Sequence, residues 1–377
     1  MKKFIKGLAL VLALVMCFAL VACDNGGEEQ KNDGENVSTL KIAIVTSPSG
    51  VDDGSFNEDN YNGINAFIAN HKGATVKAVN EPTGDAAASV QAVRDIVADY
   101  DVIVVPGFQF AGIGDIAKEN PDKKFILVDS FPTVGGEEQA LDNVYAMQFA
   151  EQESGFFAGI AAAMETQTGK VASVHGIAFP SNVNYQYGFE SGVYYANKNL
   201  GTNAEVVEIA SHSGTDVTNT NVGGNYVGDF NDQATGKVIG NELIAEGCDI
   251  IFVAAGNSGN GVFTAAKEAG NVKVIGCDVD QYNDGANGDS NIILTSVLKN
   301  MAINVERQLN AIQDGTFAGG NNTLYADTDS TGYVSADGRH QLSAETLTAL
   351  EDAYAKVKAG EIVPAANFNG VTPESFQ

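Results

Sequence analysis

The stretch "KIAIVTSPSGVDDGSFNEDNYNGI", Lys41–Ile64, changes character twice. Its first six residues form an apolar run without alternation, the pattern of a strand covered on both faces. A turn rich in Gly, Asp, Asn and Ser follows. Beyond it Tyr61, Ile64, Phe67 and Ile68 recur at helical spacing. Ser55 and Glu58 stand in the S-x-x-E relation of a capping box, which starts a helix there. Strand, polar turn, helix is the opening of an α/β unit. One large ring, Phe56, sits in the turn. In open α/β sheets the ligand lies at the C-terminal ends of the strands, where this turn falls.

The same order repeats along the chain. "TVKAVN" is a second strand, before a helix carrying Val90, Val93, Ile96 and Val97. "DVIVVPG" and "KFILVDS" are a third and fourth strand, with a helix between them near Ile113–Glu119. A linking strand, "NVYAMQF", and a helix, "SGFFAGIAAAM", lead to a second set. That set comprises "KVASVHG", "AEVVEIA", "DIIFVAAG" and "VKVIGCD", separated by helical stretches. Repetition of element order without repetition of residues predicts an α/β protein with two doubly wound, parallel-sheet lobes. The late strand "NIILTSV" and helix "NMAINVERQLNAI" are expected back in the first lobe, through a third crossing of the chain. The loops "SPSGVDDGSFN", "PGFQF", "VDSF", "HGIAFPSN", "AAGNSGNG" and "CDVDQY" then gather at the ligand-binding edges, on either side of a cleft.

The N-terminus reads differently. Lys2, Lys3 and Lys6 precede an apolar run from Gly7 to Ala22, followed by Cys23. This is a secretory signal in charge, length and order. "DNGGEEQKNDGENVS", Asp24–Ser38, has no apolar periodicity and reads as a flexible tether.

The whole chain carries 21 Lys and Arg against 48 Asp and Glu, a net charge of −27. Without the three lysines of the signal the remainder carries −30. Such acidity excludes nucleic acid as a partner, because a duplex needs cations to neutralise its phosphates. It also excludes a polybasic grip on anionic lipid. Of the four cysteines, only Cys248 and Cys277 lie within the α/β region, which is not a disulfide scaffold. His71, His175, His212 and His340 are scattered and show no metal-ligand spacing. "GNSGNG" does not follow G-x-G-x-x-G, and no Walker pattern exists, so no cofactor is expected. The calcium-binding D-x-D-P-G-x-D-D of nucleoside hydrolases, if it ended on Asp53, would need aspartates at positions 46 and 48. Thr46 and Pro48 stand there.

Six separated motifs carry a resemblance. They are "VDDGSFNEDNYNGI", "NVYAMQFAEQESGFFAGIAA", "NYVGDFNDQATGK", "AAGNSGNGVF", "GCDVDQ" and "LTSVLKN". In these the chain resembles the basic membrane protein family of lipoproteins, which is similar to a purine nucleoside receptor of bacterial ABC importers. The resemblance spans roughly residues 40–365. It implies a type I periplasmic-binding-protein fold with a three-strand hinge. It also implies a nucleoside ligand, a purine nucleoside first, with a permease and an ATPase as partners. The residues Leu20 to Cys23 resemble a lipobox, implying cleavage before Cys23, a lipid on its sulfur and an extracytoplasmic, membrane-anchored protein.

The domains expected are a signal at 1–22 and a lipidated tether at 23–39. Lobe 1 is expected at 40–147 with 285–322, lobe 2 at 148–284 with 323–367, and a tail at 368–377. Carried over by motif, Phe56 and Phe189 are the two stacking rings, Asn57 and Asp129 lie near the base, and Gly256, Asp278 and Lys299 lie near the ribose. A flat base gains on the order of 1–3 kcal/mol from each aromatic face. A carboxylate such as Asp278 can accept from both ribose hydroxyls. The family has an aspartate where this chain has Ser47, so ligand choice at that position is this chain's own. Three other readings stay open at this stage: binding of a sugar or other small polar ligand, a nucleoside-processing enzyme, and a surface lipoprotein that binds macromolecules.

Overall fold

The structure is a computed structural model that describes residues 37–377. The signal, Cys23 and most of the tether lie outside the described residues.

In chain order the first elements are β1 Lys41–Thr46, α1 Phe56–Asn70, β2 Thr75–Asn80, α2 Ala86–Ile96, β3 Val102–Pro106, α3 Gly114–Glu119, β4 Lys124–Val128 and β5 Val144–Phe149. The middle of the chain supplies α4 Glu151–Glu165, β6 Lys170–His175, α5 Pro180–Asn199, β7 Glu205–Val206, α6 Gln233–Ala245, β8 Ile250–Ala254, α7 Gly259–Ala269 and β9 Lys273–Gly276. Then come β10 Ile293–Lys299, α8 Met301–Gln313, β11 Gly320–Leu324, β12 Thr331–Tyr333 and α9 Ala344–Lys358. Short turns, hairpins and 3₁₀ segments connect them.

Two six-stranded sheets result. The first has the order β11-β5-β4-β3-β1-β2 and is parallel throughout. The second has the order β12-β10-β9-β8-β6-β7, parallel except for β12 on β10. Period-two alternation explains why the strands are continuously apolar. Ile42, Ile44, Val102 and Val104 pack with Phe67 and Val305, from α1 and α8. Val45, Ile103 and Val105 pack on the other face with Val93 of α2 and Ile116 of α3. In the second lobe Phe252 faces the cluster of α4, α5 and α9, whereas Ile251 and Val253 face α6 and α7. Each lobe is a three-layer sandwich.

The chain passes between sheets three times: from β5 to α4, from β10 to α8, and from β11 to β12. This is the two-lobed type I periplasmic-binding-protein architecture. One boundary differs from expectation. Residues 285–299 do not belong to lobe 1, because β10 is hydrogen-bonded between β9 and β12 in the second sheet. Lobe 1 is re-entered at Asn300, and α8 then packs on α1. Gly63 permits that approach, since a Cβ there would lie 2.4 Å from the Ala302 carbonyl oxygen. Cys248 and Cys277 are buried and free. Among the described residues no helix is long and apolar enough to cross a membrane, and no group of side chains could hold a metal ion.

Candidate ligand-binding cleft

A cavity lies between the lobes, and its walls are the C-terminal ends of the strands. Lobe 1 contributes Ser47 after β1, Phe56 and Asn57 at the start of α1, Phe108 after β3 and Asp129 after β4. Lobe 2 contributes Phe179, Asn182 and Tyr185 around the start of α5, Phe230 before α6, Gly256 after β8 and Asp278 after β9. Lys299, the last residue of β10, lines the cavity as well. Seven of the eight residues singled out from sequence therefore line one cavity.

Phe189 is the exception: contrary to expectation it does not line the cavity. It is fully buried and stacks on Phe252, with centroids 5.8 Å apart. It lies nine residues beyond Pro180, roughly 13 Å down the helix at 1.5 Å per residue. There it faces α4, whose Gly159 comes so close that a Cβ would meet the Phe189 carbonyl oxygen at 2.1 Å. Of the lobe 2 rings that do line the cleft, Phe179 stands immediately before Pro180. Phe179 lies 5.3 Å from Phe108 of lobe 1 and 6.1 Å from Phe230, centroid to centroid. Both Phe179 and Phe108 stand in loops already legible as ligand-binding edges, "HGIAFPSN" and "PGFQF". The helical register that separates Phe179 from Phe189 was the missed signal.

The turn quoted at the outset is built around Asp53. Its carboxylate accepts from the backbone amides of Ser55, Asn57 and Glu58, and from Asn57 Nδ2. The expected capping box is therefore not formed. Ser55 is the N-cap residue, but its side chain makes no cap bond, and Glu58 reaches back to the amide of Gly54. Asp53, two residues upstream, satisfies the free amides of α1 instead. Burial pushes its carboxyl up, against the pull of those amides.

This turn fixes Asn57. Its Nδ2 donates to Asp53 and, at 3.0 Å, to Ser47 Oγ, which leaves Asn57 Oδ1 buried without a partner. The Ser47 hydroxyl accepts this bond, so its own proton remains free to be donated. Asp129 also has a buried, unpartnered oxygen, Oδ1. Asp129 and Asp278 both hold left-handed backbone conformations, with φ of 63° and 68°. Aspartate tolerates this region better than most residues, and non-glycine examples concentrate at functional sites.

Lys299 is buried between Asp129 Oδ2 at 2.5 Å and Glu151 Oε1 at 2.9 Å. Burial works against its charge, but the carboxylates of Asp129, Glu151 and Asp278 outweigh it and hold the ammonium well above the usual lysine range. Burial pushes Asp129 up, and the neighbouring ammonium opposes that. The Lys299 ammonium also lies over the half-buried Phe56 ring, 5.1 Å from its centroid. Asp278 accepts from Tyr185 OH at 2.8 Å and from Ser55 Oγ at 3.0 Å. Tyr185, Glu151 and Asp53 were not among the residues expected from sequence. The partners of Lys299 are far away in the chain, and no local pattern announces them.

The comparisons with known proteins accord with this geometry. A family described as ABC transporter substrate-binding protein, PnrA-like, matches residues 40–219 and 216–364. A Listeria innocua protein named CD4+ T-cell-stimulating antigen is 29% identical over 96% of this chain and 98% of its own length. A Lactococcus lactis subsp. cremoris protein named ABC transporter nucleoside-binding protein BmpA is 28% identical over 95% of this chain and 96% of its own. Among solved structures, an ABC transporter solute-binding protein from Aeropyrum pernix K1 superposes with a TM-score of 0.73. It is 22% identical and covers 89% of this chain and 96% of that one, a likeness of fold.

Proposed function

This chain belongs to the family of PnrA-like ABC transporter substrate-binding proteins, also called the basic membrane protein family, and from that premise we propose that its cleft binds a nucleoside for delivery to a permease. Membership makes it a binding component of a transporter, and the reading as a nucleoside-processing enzyme falls.

The observation that carries the nucleoside is the composition of the cavity wall. Asn57 Oδ1 and Asp129 Oδ1 are buried acceptors without donors, on two residues that line a cavity with aromatic rings on both lobes. A buried unsatisfied polar atom costs on the order of 1–3 kcal/mol. A ligand that brings N–H or O–H groups on a flat, stackable frame removes that cost, and a nucleoside has both. Phe56 offers a ring from lobe 1 and Phe179 one from lobe 2. Ser47 supplies a donor for an acceptor atom on the ligand. Asp278 and the third N–H of Lys299 suit a ribose, and Gly256 lets the backbone come close to it. A free sugar or other small polar ligand would use the carboxylates but would leave the rings of one lobe without a flat partner.

Binding between the lobes and rotation about the three crossings give a closed form for the permease and its ATPase to recognise. The lipobox-like residues Leu20 to Cys23, after a basic start and an apolar run, motivate the anchor: lipid on Cys23, at the extracytoplasmic face of the cell membrane. A Cys23→Ala chain should then leave the membrane fraction, and its retention through a high-salt wash would count against the anchor.

The ligand is tested by mass spectrometry of what native protein releases, then by calorimetric titration with inosine, guanosine, adenosine, cytidine and ribose. Nucleosides should bind and ribose should not. Binding of ribose with no binding of any nucleoside would overturn the proposal.

A further inference from the structure

Ser55 occupies the position from which a serine normally caps its own helix. Here that task is done by Asp53, which takes the amides of Ser55, Asn57 and Glu58. The hydroxyl is released, and it crosses to the other lobe. It donates to Asp278 Oδ2 at 3.0 Å, with Ser55 and Asp278 both more than nine-tenths buried. Beside it Gln281 Nε2 donates to the Gly54 carbonyl oxygen at 3.3 Å, again from lobe 2 to lobe 1. Gln281 is seated rigidly in its own lobe: its Oε1 accepts from the Cys277 amide, and its backbone amide donates to Ser296 Oγ. Neither Ser55 nor Gln281 lines the cavity. Asp278 does, and Tyr185 holds its other oxygen from within lobe 2.

We propose that the Ser55 hydroxyl is a closure latch, which engages the ligand-lining carboxylate of the opposite lobe and so slows ligand release. The inference rests on the reading of this cleft as one that closes over its ligand. Its physical basis is an asymmetry between states. When the lobes part, Ser55 leaves with lobe 1 and Asp278 stays with lobe 2, and water solvates both. When they meet, water is excluded and a charge-assisted O–H···O⁻ bond replaces it. Removing the hydroxyl therefore penalises the closed form alone, by leaving a carboxylate oxygen without its donor. The encounter of ligand with the open form is untouched, because Ser55 does not face the cavity. Folding is also untouched, because the free amides at the start of α1 are taken by Asp53 and not by the Ser55 hydroxyl. Ser55 is thus a positioning residue, acting through Asp278.

The test compares wild type, Ser55→Ala and Ser55→Thr as full-length chains, with inosine as the probe, by surface plasmon resonance. Ser55→Ala should raise the dissociation rate about ten- to a hundred-fold and leave the association rate within two-fold. Ser55→Thr, which keeps the hydroxyl, should restore slow release. Small-angle scattering of the unliganded proteins should show Ser55→Ala more extended than wild type, with melting temperatures alike. An unchanged dissociation rate, or a loss confined to association, would overturn the latch while leaving the nucleoside site standing. If wild type binds no inosine or other nucleoside, the ligand reading is what fails. The scattering comparison then decides the latch, and identical profiles overturn it.

Discussion

Two phenylalanines ten residues apart, Phe179 and Phe189, make the sharpest test of where the cleft lies. Phe189 is fully buried, stacked on Phe252 and set against the close crossing of α4 and α5. Cutting it to alanine leaves a cavity that the two packed helices cannot collapse to fill. The cost is about 3–5 kcal/mol of folding stability. For a unit spanning Asn36–Gln377 that lowers the melting temperature by roughly 4–7 °C. Phe179 is half-buried, lines the cleft and lies tilted against Phe108 and Phe230, 5.3 and 6.1 Å away centroid to centroid. Phe179→Ala should weaken nucleoside binding by about 1–3 kcal/mol, roughly five- to two-hundred-fold. Its unliganded melting temperature should move far less than that of Phe189→Ala. Calorimetric titration gives the affinities. Circular dichroism gives the melts, since a chain without tryptophan is poorly followed by intrinsic fluorescence. If Phe189→Ala lost affinity with its melt unchanged, and Phe179→Ala bound like wild type, the stacking ring would be Phe189 and the placement argued from the cavity would be refuted.

Lys299→Met should destabilise the chain by about 3–5 kcal/mol in denaturant melts at pH 7, because Asp129 and Glu151 then face each other without a cation. Adding Glu151→Gln should recover part of that loss, and no recovery would show that the carboxylates do not repel. A pH dependence follows from Asp59, which accepts from the Ala302 amide at the start of α8 and whose carboxyl burial pushes up to about 7. A carboxyl raised on folding favours the native state while protonated, so its contribution is complete below about pH 4 and is lost as pH rises toward 7. Asp59→Asn keeps an acceptor and removes the titration, so its melting temperature should gain on wild type across that interval. A constant difference from pH 4 to pH 8 would contradict the assignment.

The lobes were legible because strand and helix differ in length and period, and both survive as patterns in a single sequence. The placement of Ile293–Lys299 was not legible. Its run "ILTSVLK" is apolar enough for either sheet, and only its pairing with Lys273–Gly276 and Thr331–Tyr333 assigns it to the second. The cap of α1 shows a different limit. Ser55 and Glu58 have the right spacing for a capping box, but spacing does not weigh a hydroxyl against a carboxylate. Asp53 lies close enough to compete and, as a charged acceptor of three amides, wins. Phe189 shows a third. A ring near the start of a helix is near the cleft only if its turn of the helix is, and by Phe189 the helix has already entered the core.

Lys299 connects these observations. It ends a strand of lobe 2, its backbone amide donates to the Asp278 carbonyl oxygen at 2.9 Å, and its ammonium reaches Asp129 of lobe 1. The same ammonium bonds Glu151, the first residue of α4 just past the first crossing, and the next residue in the chain, Asn300, begins the second. One buried cation thus ties two of the three crossings to the cavity-lining aspartates of both lobes. Groups near a hinge axis move least when the lobes rotate, so these ion pairs can persist in open and closed forms alike. Contacts at the other lips of the cleft, Ser55 on Asp278 and Phe108 on Phe179, have no such connection through the chain. Under the closure proposed above they are among the contacts that opening breaks, with the Gln281–Gly54 bond beside them, and the balance between the two forms then depends on them more than on Lys299.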